Sequence, residues 1–411
     1  MTIGTELLLG QTLDSNGAVL GRALAEIGVR VTRRTTVADD PAAIAATVGE
    51  ALARTGAVLT TGGLGPTSDD VTKQTIAAHF QAPLHFEDTV WQQICERFRL
   101  LGRDPVPANR GQAEVPLGAT VLPNPWGTAP GLWLEGAPGL AIMLPGVPGE
   151  MVRLLQAEVL PRLTRRSGTG APIRSLTVRT TSIAESALGE RIRPLEAALR
   201  PLSVAYIPSL DGVDVRLTSW RLPSREADAL LEAAARRVET ELSGFAYARD
   251  DGDLAAVVLE GMAAERRVLA VAESCTGGLV AARLTAVPGS SRAFLGGLVC
   301  YGDRQKTELA GVAASLIAQH GAVSEPVAAA LAEGVRARTG ADAAVGVTGV
   351  AGPAGGTEQT PVGTVWLAWS VGDRARTRLV RLPGTRGEVR ARAAQLALHG
   401  LLQLMDRGAR P

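Results

Sequence analysis

At 411 residues the chain is long enough for two or three separately cored units of about 150 residues each. Its 42 basic and 41 acidic residues leave a formal charge of +1, which excludes the basic excess that grips a nucleic-acid backbone or an acidic membrane surface. Hydrophobic residues make up 46% of the chain, but no unbroken apolar run approaches the roughly 18 residues of a membrane span, and the first residues lack the basic and apolar regions of a signal peptide, so a cytoplasmic protein is expected.

Cys95, Cys275 and Cys300 lie too far apart for a CxxC metal pair and are too few for a disulfide framework, which suits thiols in a reducing compartment. Of the basic residues only Lys73 and Lys306 are lysine. Arginine keeps its proton near neutrality, whereas a desolvated lysine can release it. Both lysines are therefore candidates for chemistry, the alternative being two chance survivors at the surface.

The segment to about residue 165 alternates helix and strand patterns and reads as an α/β unit. Helical spacing runs through Val19, Leu20, Leu24 and Ile27. A strand is expected over 29–37, a helix over 41–54 and a buried strand over 57–61. That last strand runs into Gly62-Gly63-Leu64-Gly65-Pro66-Thr67-Ser68-Asp69-Asp70 and then a helix, the place where open α/β sheets bind ligands. Gly62, Gly63, Gly65 and Thr67 would offer N–H groups to a phosphate. A second loop, 144–150 with Gly146, follows a strand over 140–144 and is expected to face the same pocket. Asp69 and Asp70 bring two carboxylates there, and anions beside a phosphate call for a bridging cation. With Glu6 from the neighbouring loop, these hard oxygens suit Mg²⁺ or Mn²⁺. Lys73, four residues past Asp69, is expected on the same helix face and within reach of phosphate. The plainer alternative is that Asp69 and Asp70 stabilise a helix N-terminus and Lys73 pairs with Asp69.

Residues 166–172 have linker composition. From 173 to 248 the pattern is strand, helix (184–199), strand (203–207), strand (213–220), helix (224–242), a small α+β module. Residues 249–253 read as a second linker that caps a helix. The remainder is α/β again, with strands near 268–272, 296–301, 343–347, 363–370 and 377–382, and no repeat interrupts it.

In this last segment Glu273-Ser274-Cys275-Thr276-Gly277-Gly278 leaves a strand and opens a helix. A hydroxyl on such an elbow is exposed, and the N–H groups of Thr276, Gly277 and Gly278 can point at a developing oxyanion. The same residues also suit a helix N-cap with glycines for tight packing. Downstream lies Tyr301-Gly302-Asp303-Arg304-Gln305-Lys306, and a serine with a desolvated lysine as base is an alternative to the Ser–His pair. A third loop, Thr348-Gly349-Val350-Ala351-Gly352-Pro353-Ala354-Gly355-Gly356-Thr357, either cradles phosphate on its N–H groups or is only a loop. Cys275 is a rival nucleophile, but neighbouring side chains on an elbow point apart and no histidine motif stands near it. His320, before Gly321, suits a helix C-terminus.

These motifs, with Val287-Pro288-Gly289-Ser290-Ser291 and Gly321-Ala322-Val323-Ser324, closely resemble the CinA family, whose C-terminal domain is similar to the stand-alone nicotinamide-nucleotide amidase. Gly4-Thr5-Glu6-Leu7-Leu8, the Thr61–Asp70 loop, Asn124-Pro125, Gly127–Gly131 and Leu144-Pro145-Gly146 extend the resemblance to a molybdopterin-binding-like domain. The resemblance covers essentially the whole chain and implies three domains: molybdopterin-binding-like α/β over 1–165, KH-like α+β over 172–248, and an α/β amidase domain over 252–411. It implies deamidation of nicotinamide mononucleotide, with Ser274 as nucleophile, Lys306 as base, Tyr301 as polar neighbour, and no cofactor. Thr348, the glycine loop and Arg386 would hold the ribose phosphate.

For the N-terminal domain the resemblance implies metal-dependent cleavage of ADP-ribose to AMP and ribose 5-phosphate, and for the whole chain a homodimer. The family carries several more residues before Ile3, so either the first strand is shortened here or the start lies upstream. A nucleic-acid KH domain needs a GXXG loop, which 172–248 lacks, and its arginines and acids balance, so no RNA partner is expected. Two other functional classes stand beside the bifunctional hydrolase: one active site with the other domain a nucleotide sensor, or a non-catalytic competence or DNA-damage adaptor.

Overall fold

Strand-forming runs between amphipathic helices arrange the chain in layers. The structure, a computed structural model, describes residues 1–167 and 171–406; part of the 166–172 linker therefore lies outside the described residues. Two units form: Met1–Arg174 with Trp220–Glu226, and Ser175–Ser219 with the chain from Ala227 onward.

The first unit holds β1 (Thr2–Ile3), β2 (Thr36–Val37), β3 (Ala57–Thr61), β4 (Leu84–Phe86), β5 (Glu114–Pro116), β6 (Thr120–Leu122), β7 (Gly131–Gly136) and β8 (Gly139–Leu144). Six of them make one sheet in the order β2-β1-β3-β8-β7-β6, parallel from β2 to β8 and antiparallel beyond. The helix Pro41–Thr55 shows why these residues fold as they do. Asp40 accepts from the Ala43 N–H at its start, Ile44, Val48 and Leu52 form one buried stripe, and Gly56 in the left-handed region ends it. The strand expected over 29–37 is reduced to Thr36–Val37. β1 supplies only two residues of ladder, so 29–35 find no partner and instead flank a cavity of about 310 Å³ with Val58 and Leu59 of β3 on its lining.

In the second unit β9 (Arg174–Thr180), β10 (Ser203–Pro208), β11 (Val213–Ser219) and β12 (Ala246–Arg249) form a sheet in the order β10-β11-β9-β12. Leu188 and Ile192 of the helix Glu185–Glu196 and Leu231, Ala235 and Val238 of the helix Ser224–Glu241 close a core over it with Val178, Val215 and Leu217. The second linker begins inside β12, because Ala248 and Arg249 pair with Arg179 and Val178. Asp253 caps the helix Leu254–Ala264 as expected, accepting from the N–H groups of Ala255 and Ala256.

The remaining strands, β13 (Leu269–Glu273), β14 (Phe294–Val299), β15 (Ala343–Gly349), β16 (Thr364–Val371) and β17 (Arg374–Arg381), make a five-stranded sheet in the order β14-β13-β15-β16-β17. Period-two alternation sends Leu269, Val271, Val345 and Val347 into one core and Ala270, Ala272 and Ala344 into another, so both faces are covered. The first core is closed by the helices Leu254–Ala264, Leu279–Thr285 and Arg386–Asp406, the second by Glu325–Thr339. Truncating a fully buried anchor such as Leu331 to alanine would cost about 2–5 kcal/mol. No helix among the described residues is long and apolar enough to cross a membrane.

Candidate functional site

β14, β13 and β15 are parallel neighbours, so the turns leaving their C-terminal ends open on one edge of the sheet. Two backbone bonds lock that edge: Ser274 N–H donates to Val347 O (2.9 Å) and Cys300 N–H to Glu273 O (2.7 Å). Gly277 and Gly278 take φ of 61° and 91°, which side chains disfavour, and this explains the Gly-Gly pair after the serine. The Gly277 N–H closes the turn on the Ser274 carbonyl at 3.0 Å and is therefore not an oxyanion donor.

Glu273, 1% exposed, ties the strand to the helix that follows. Its carboxylate accepts from the N–H groups of Val280 (3.0 Å) and Ala281 (2.8 Å), an anion placed where the helix dipole favours it. Across the turn, Arg390 donates from Nε (3.2 Å) and Nη2 (2.8 Å) to the Thr276 carbonyl. The Thr276 hydroxyl is buried without a partner among the described residues.

Ser274 is 6% exposed, and its hydroxyl makes no hydrogen bond among the described residues. Lys306 is buried at 2% exposure, and its Nζ donates to Asp303 Oδ1 (3.2 Å) and the Tyr301 carbonyl (3.4 Å). The direct Ser274–Lys306 contact implied by pairing nucleophile with base is thus not formed; Asp303 holds the lysine, as an ion pair. Burial pushes the Cys275 thiol up to about 12, so the rival nucleophile is a protonated, inert thiol at neutral pH.

Tyr301 is exposed, and its hydroxyl oxygen accepts from Arg386 Nη2 at 2.6 Å, while Arg386 Nη1 donates to Gly352 O at 2.8 Å. Arg386 thereby joins the loops that follow β14 and β15. Thr348 is placed otherwise than expected: it is fully buried and its hydroxyl donates to Ala322 O (2.7 Å), so it anchors the 321–324 turn instead of facing a phosphate. Gly349 packs against Cys275 Sγ, Gly352 lies under Val362, and Thr357 closes its own turn on Thr360, beyond exposed Gly355 and Gly356. His320 ends the helix Ala314–His320, as its sequence position suggested.

In the first unit the loops after β3 and β8 do meet. Gly62 N–H donates to Leu144 O (3.1 Å), Asn16 Nδ2 donates to Gly146 O (2.7 Å), and a side chain on Gly62 would strike the Ile3 carbonyl. Asp70 is turned inward: Oδ1 accepts from Gly65 N–H (2.7 Å) and Oδ2 from the N–H (2.8 Å) and hydroxyl of Thr67. Lys73 is not on a helix face shared with Asp69, because the helix starts at Thr72. It is buried, donates to the Gly111 carbonyl, and burial lowers its amine to about 8. Gly63, Gly65, Thr67, Asp70 and Lys73 line a hollow of about 60 Å³, room for a few waters.

The carboxylates expected to hold a metal do not converge in this structure. Among the described residues no three His, Cys, Asp or Glu side chains gather in a way that could hold an ion. Asp70 spends its oxygens on the loop, Asp69 is exposed, and the Glu6 carboxylate folds back over Gly4. These residues do not fit a preformed divalent-cation site.

Glu273, Asp303, Arg390 and Asn16 were not singled out in the sequence as site-building side chains. Arg390 and Asp303 carry signals that could have found them, spacings of four from Arg386 and of three from Lys306, each on one helix.

The family model for the CinA C-terminal domain matches residues 251–405, that for a probable molybdopterin binding domain matches 1–165, and that for the damage-inducible protein CinA KH domain matches 175–248. A CinA-like protein of Gemmatimonas aurantiaca is 50% identical over 412 residues, covering 100% of this chain and 96% of that protein. A putative competence-damage inducible protein of Symbiobacterium thermophilum is 41% identical over 96% of each. Among solved structures, a competence-damaged protein (CinA) superfamily protein from Escherichia coli is 36% identical, covering 37% of this chain and 88% of its own, with a TM-score of 0.36. With three domain models matched in sequence and relatives aligned along the full chain, the protein belongs to the CinA family.

Proposed function

We propose that the C-terminal domain hydrolyses the carboxamide of nicotinamide mononucleotide, giving nicotinate mononucleotide and ammonia. The observation that carries this reading is a serine hydroxyl without a hydrogen-bond partner among the described residues, in the turn after β13, and a buried lysine on the helix Asp303–Ala310 that follows the adjacent parallel strand β14. Ser274 Oγ attacks the carboxamide carbon as Lys306 takes the hydroxyl proton, which requires the lysine to reach the serine from its contact with Asp303. The oxygen that gains charge meets the Gly278 N–H at the start of the helix Leu279–Thr285. Lys306 returns the proton to the departing ammonia, and water hydrolyses the acyl-serine. The cysteine alternative is disfavoured by the burial that keeps Cys275 protonated.

The test is ammonia release from nicotinamide mononucleotide by the purified chain beside Ser274→Ala. Activity in the parent and none in the variant is the expected result; equal activity in both ends the serine reading.

For the N-terminal domain the proposed reaction is ADP-ribose cleavage to AMP and ribose 5-phosphate; the N–H groups of Gly62, Gly65 and Thr67 are spent on Leu144 and Asp70, so what supports a phosphate there is the hollow beside them that Gly63 and Lys73 line. No step is assigned to a metal there, since the carboxylates do not converge.

A further inference from the structure

Arg283 stands in the last turn of the helix Leu279–Thr285, the helix that the Ser274 turn opens, and three other elements meet on its guanidinium. Its Nη1 donates to Gln395 Oε1 at 2.7 Å and lies 3.8 Å from Asp211 Oδ1, while Nη2 lies 3.6 Å from Asp253 Oδ2. Gln395 is 1% exposed and belongs to the helix Arg386–Asp406. Asp253 spends its other oxygen on capping the helix Leu254–Ala264. Asp211 comes from a different module, the turn between β10 and β11, which shares one compact unit with the five-stranded sheet.

That turn is itself fixed. The Thr181 hydroxyl donates to the Asp211 carbonyl at 2.6 Å, Asp211 Oδ2 lies 4.0 Å from Arg179 Nη2, and a side chain on Gly212 would strike the Thr180 carbonyl. The Asp211 carboxylate is thus held between an arginine of its own module and Arg283. The seam continues along the last helix, where Gln395, His399 and Gln403 recur every four residues on one face. His399 shares its hydrogen bond with Ser182, and Gln403 Nε2 donates to the Gly244 carbonyl at 2.8 Å. Ala394, Ala397, Leu398 and Leu401 of the same helix fill the domain core instead. Hydrogen bonds are directional where apolar contacts are not, so this polar stripe sets the register in which module and domain dock.

The start of the same helix carries Arg386 and Arg390, and Arg390 grips the Thr276 carbonyl. The serine turn and the helix that follows it are therefore tied to the last helix twice, by Arg390 at Thr276 and by Arg283 at Gln395. Asp211 and Asp253 are 40% and 52% exposed in their side chains, so their ion pairs add little to folding; what they provide is orientation. With one carboxylate on each side, the guanidinium stays on Gln395. With Asp211 neutralised it is drawn towards Asp253, and the buried Gln395 oxygen loses its donor. We propose that Arg283 is a positioning residue for Ser274 and that the β9–β12 module, through Asp211, is a working part of the amidase rather than a spacer. The inference rests on the amidase reading for the reaction, though not for the brace.

Hydrogen–deuterium exchange on the full chain reads the brace without turnover, because the Val280 and Ala281 N–H groups on Glu273 report on the helix that leaves the serine turn. Asp211→Asn and Arg283→Gln should each speed exchange of these two amides by about fivefold or more, a local opening well short of global unfolding. Arg283→Lys, which keeps the charge, should restore part of the protection. Asp211→Asn alters an exposed carboxylate, so the test does not depend on how well Arg283→Gln folds. In ammonia release both variants should lose about tenfold in kcat with KM nearly unchanged, since a displaced nucleophile slows attack more than binding. The double variant should lose no more than Arg283→Gln alone, because both changes act through one contact. Parental exchange at Val280 and Ala281 in both variants would overturn the proposal whatever the activity. So would additive losses in the double variant, or a kcat loss that simply follows a fall in the urea midpoint. Faster exchange in a chain whose parent releases no ammonia would keep the brace and remove the amidase reading.

Discussion

The Tyr301 hydroxyl oxygen accepts a hydrogen bond from Arg386 Nη2 at 2.6 Å, across 85 residues of sequence, while the Tyr301 carbonyl accepts from Lys306 Nζ. One residue thus links the buried lysine to the helix that carries both arginines. Tyr301→Phe keeps the carbonyl and the ring but removes the acceptor for Arg386. Because the side chain is exposed, folding stability should change by about 0.5 kcal/mol or less. Losing a bond to a charged donor should lower kcat/KM for nicotinamide mononucleotide by roughly tenfold. Unchanged steady-state kinetics would show that the link has no role in the reaction.

Lys306→Arg preserves the charge and a partner for Asp303, but arginine does not release a proton near neutrality. If Lys306 is the base, ammonia release should fall by about 10³-fold or more, within the range that general-base catalysis supplies. A variant retaining a tenth of parental activity would remove the lysine from that role.

Cys275 gives the opposite expectation. Its thiol is buried and raised to about 12, so at pH 8 thiol-directed reagents should leave amidase activity intact, and Cys275→Ala should remain active. Rapid inactivation traced by mass spectrometry to Cys275 would return it to contention as the nucleophile.

Patterns of period and punctuation made the layers readable. The pattern over 41–54 read as a helix and that near 268–272 as a strand, and both are there, as Pro41–Thr55 and Leu269–Glu273. Two expectations failed on a partner far along the chain. A strand over 29–37 needs a ladder from β1, and Thr348 is captured by the carbonyl of Ala322. Asp69 and Asp70 read as metal ligands because adjacency says nothing of direction, and Asp70 points into its own loop. Glu273 was quoted in a motif without a role, since its partners Val280 and Ala281 become donors only once the helix forms.

The inward turn of Asp70 yields its own test. Asp70→Asn exchanges an anion accepting from Gly65 and Thr67 for a group with one acceptor oxygen, and should destabilise the first unit by about 1–3 kcal/mol. Asp69→Asn, at an exposed position, should change stability little. Urea denaturation of the two variants distinguishes them. Equal, negligible losses would mean that the loop does not depend on the Asp70 carboxylate.

His399 supplies a pH-dependent prediction. It lies in the helix Arg386–Asp406, is 2% exposed, and its Nδ1 shares a hydrogen bond with Ser182 Oγ at 2.8 Å, joining that helix to the segment after β9. Burial, reinforced by Arg378, lowers its imidazole to about 4, against about 6.5 in an unfolded chain. Above pH 6.5 both states are neutral and the shift has no effect on stability. As pH falls from 6.5 towards 4, the unfolded chain binds a proton that the folded chain refuses, so stability drops, by about 3 kcal/mol in all. Below pH 4 both states are protonated and this contribution levels off. His399→Gln removes the titration, so its urea midpoint should fall less between pH 7 and pH 4.5 than that of the parent. Equal slopes in the two proteins would mean that His399 is protonated in the folded state, and that its burial does not govern the acid limb of stability.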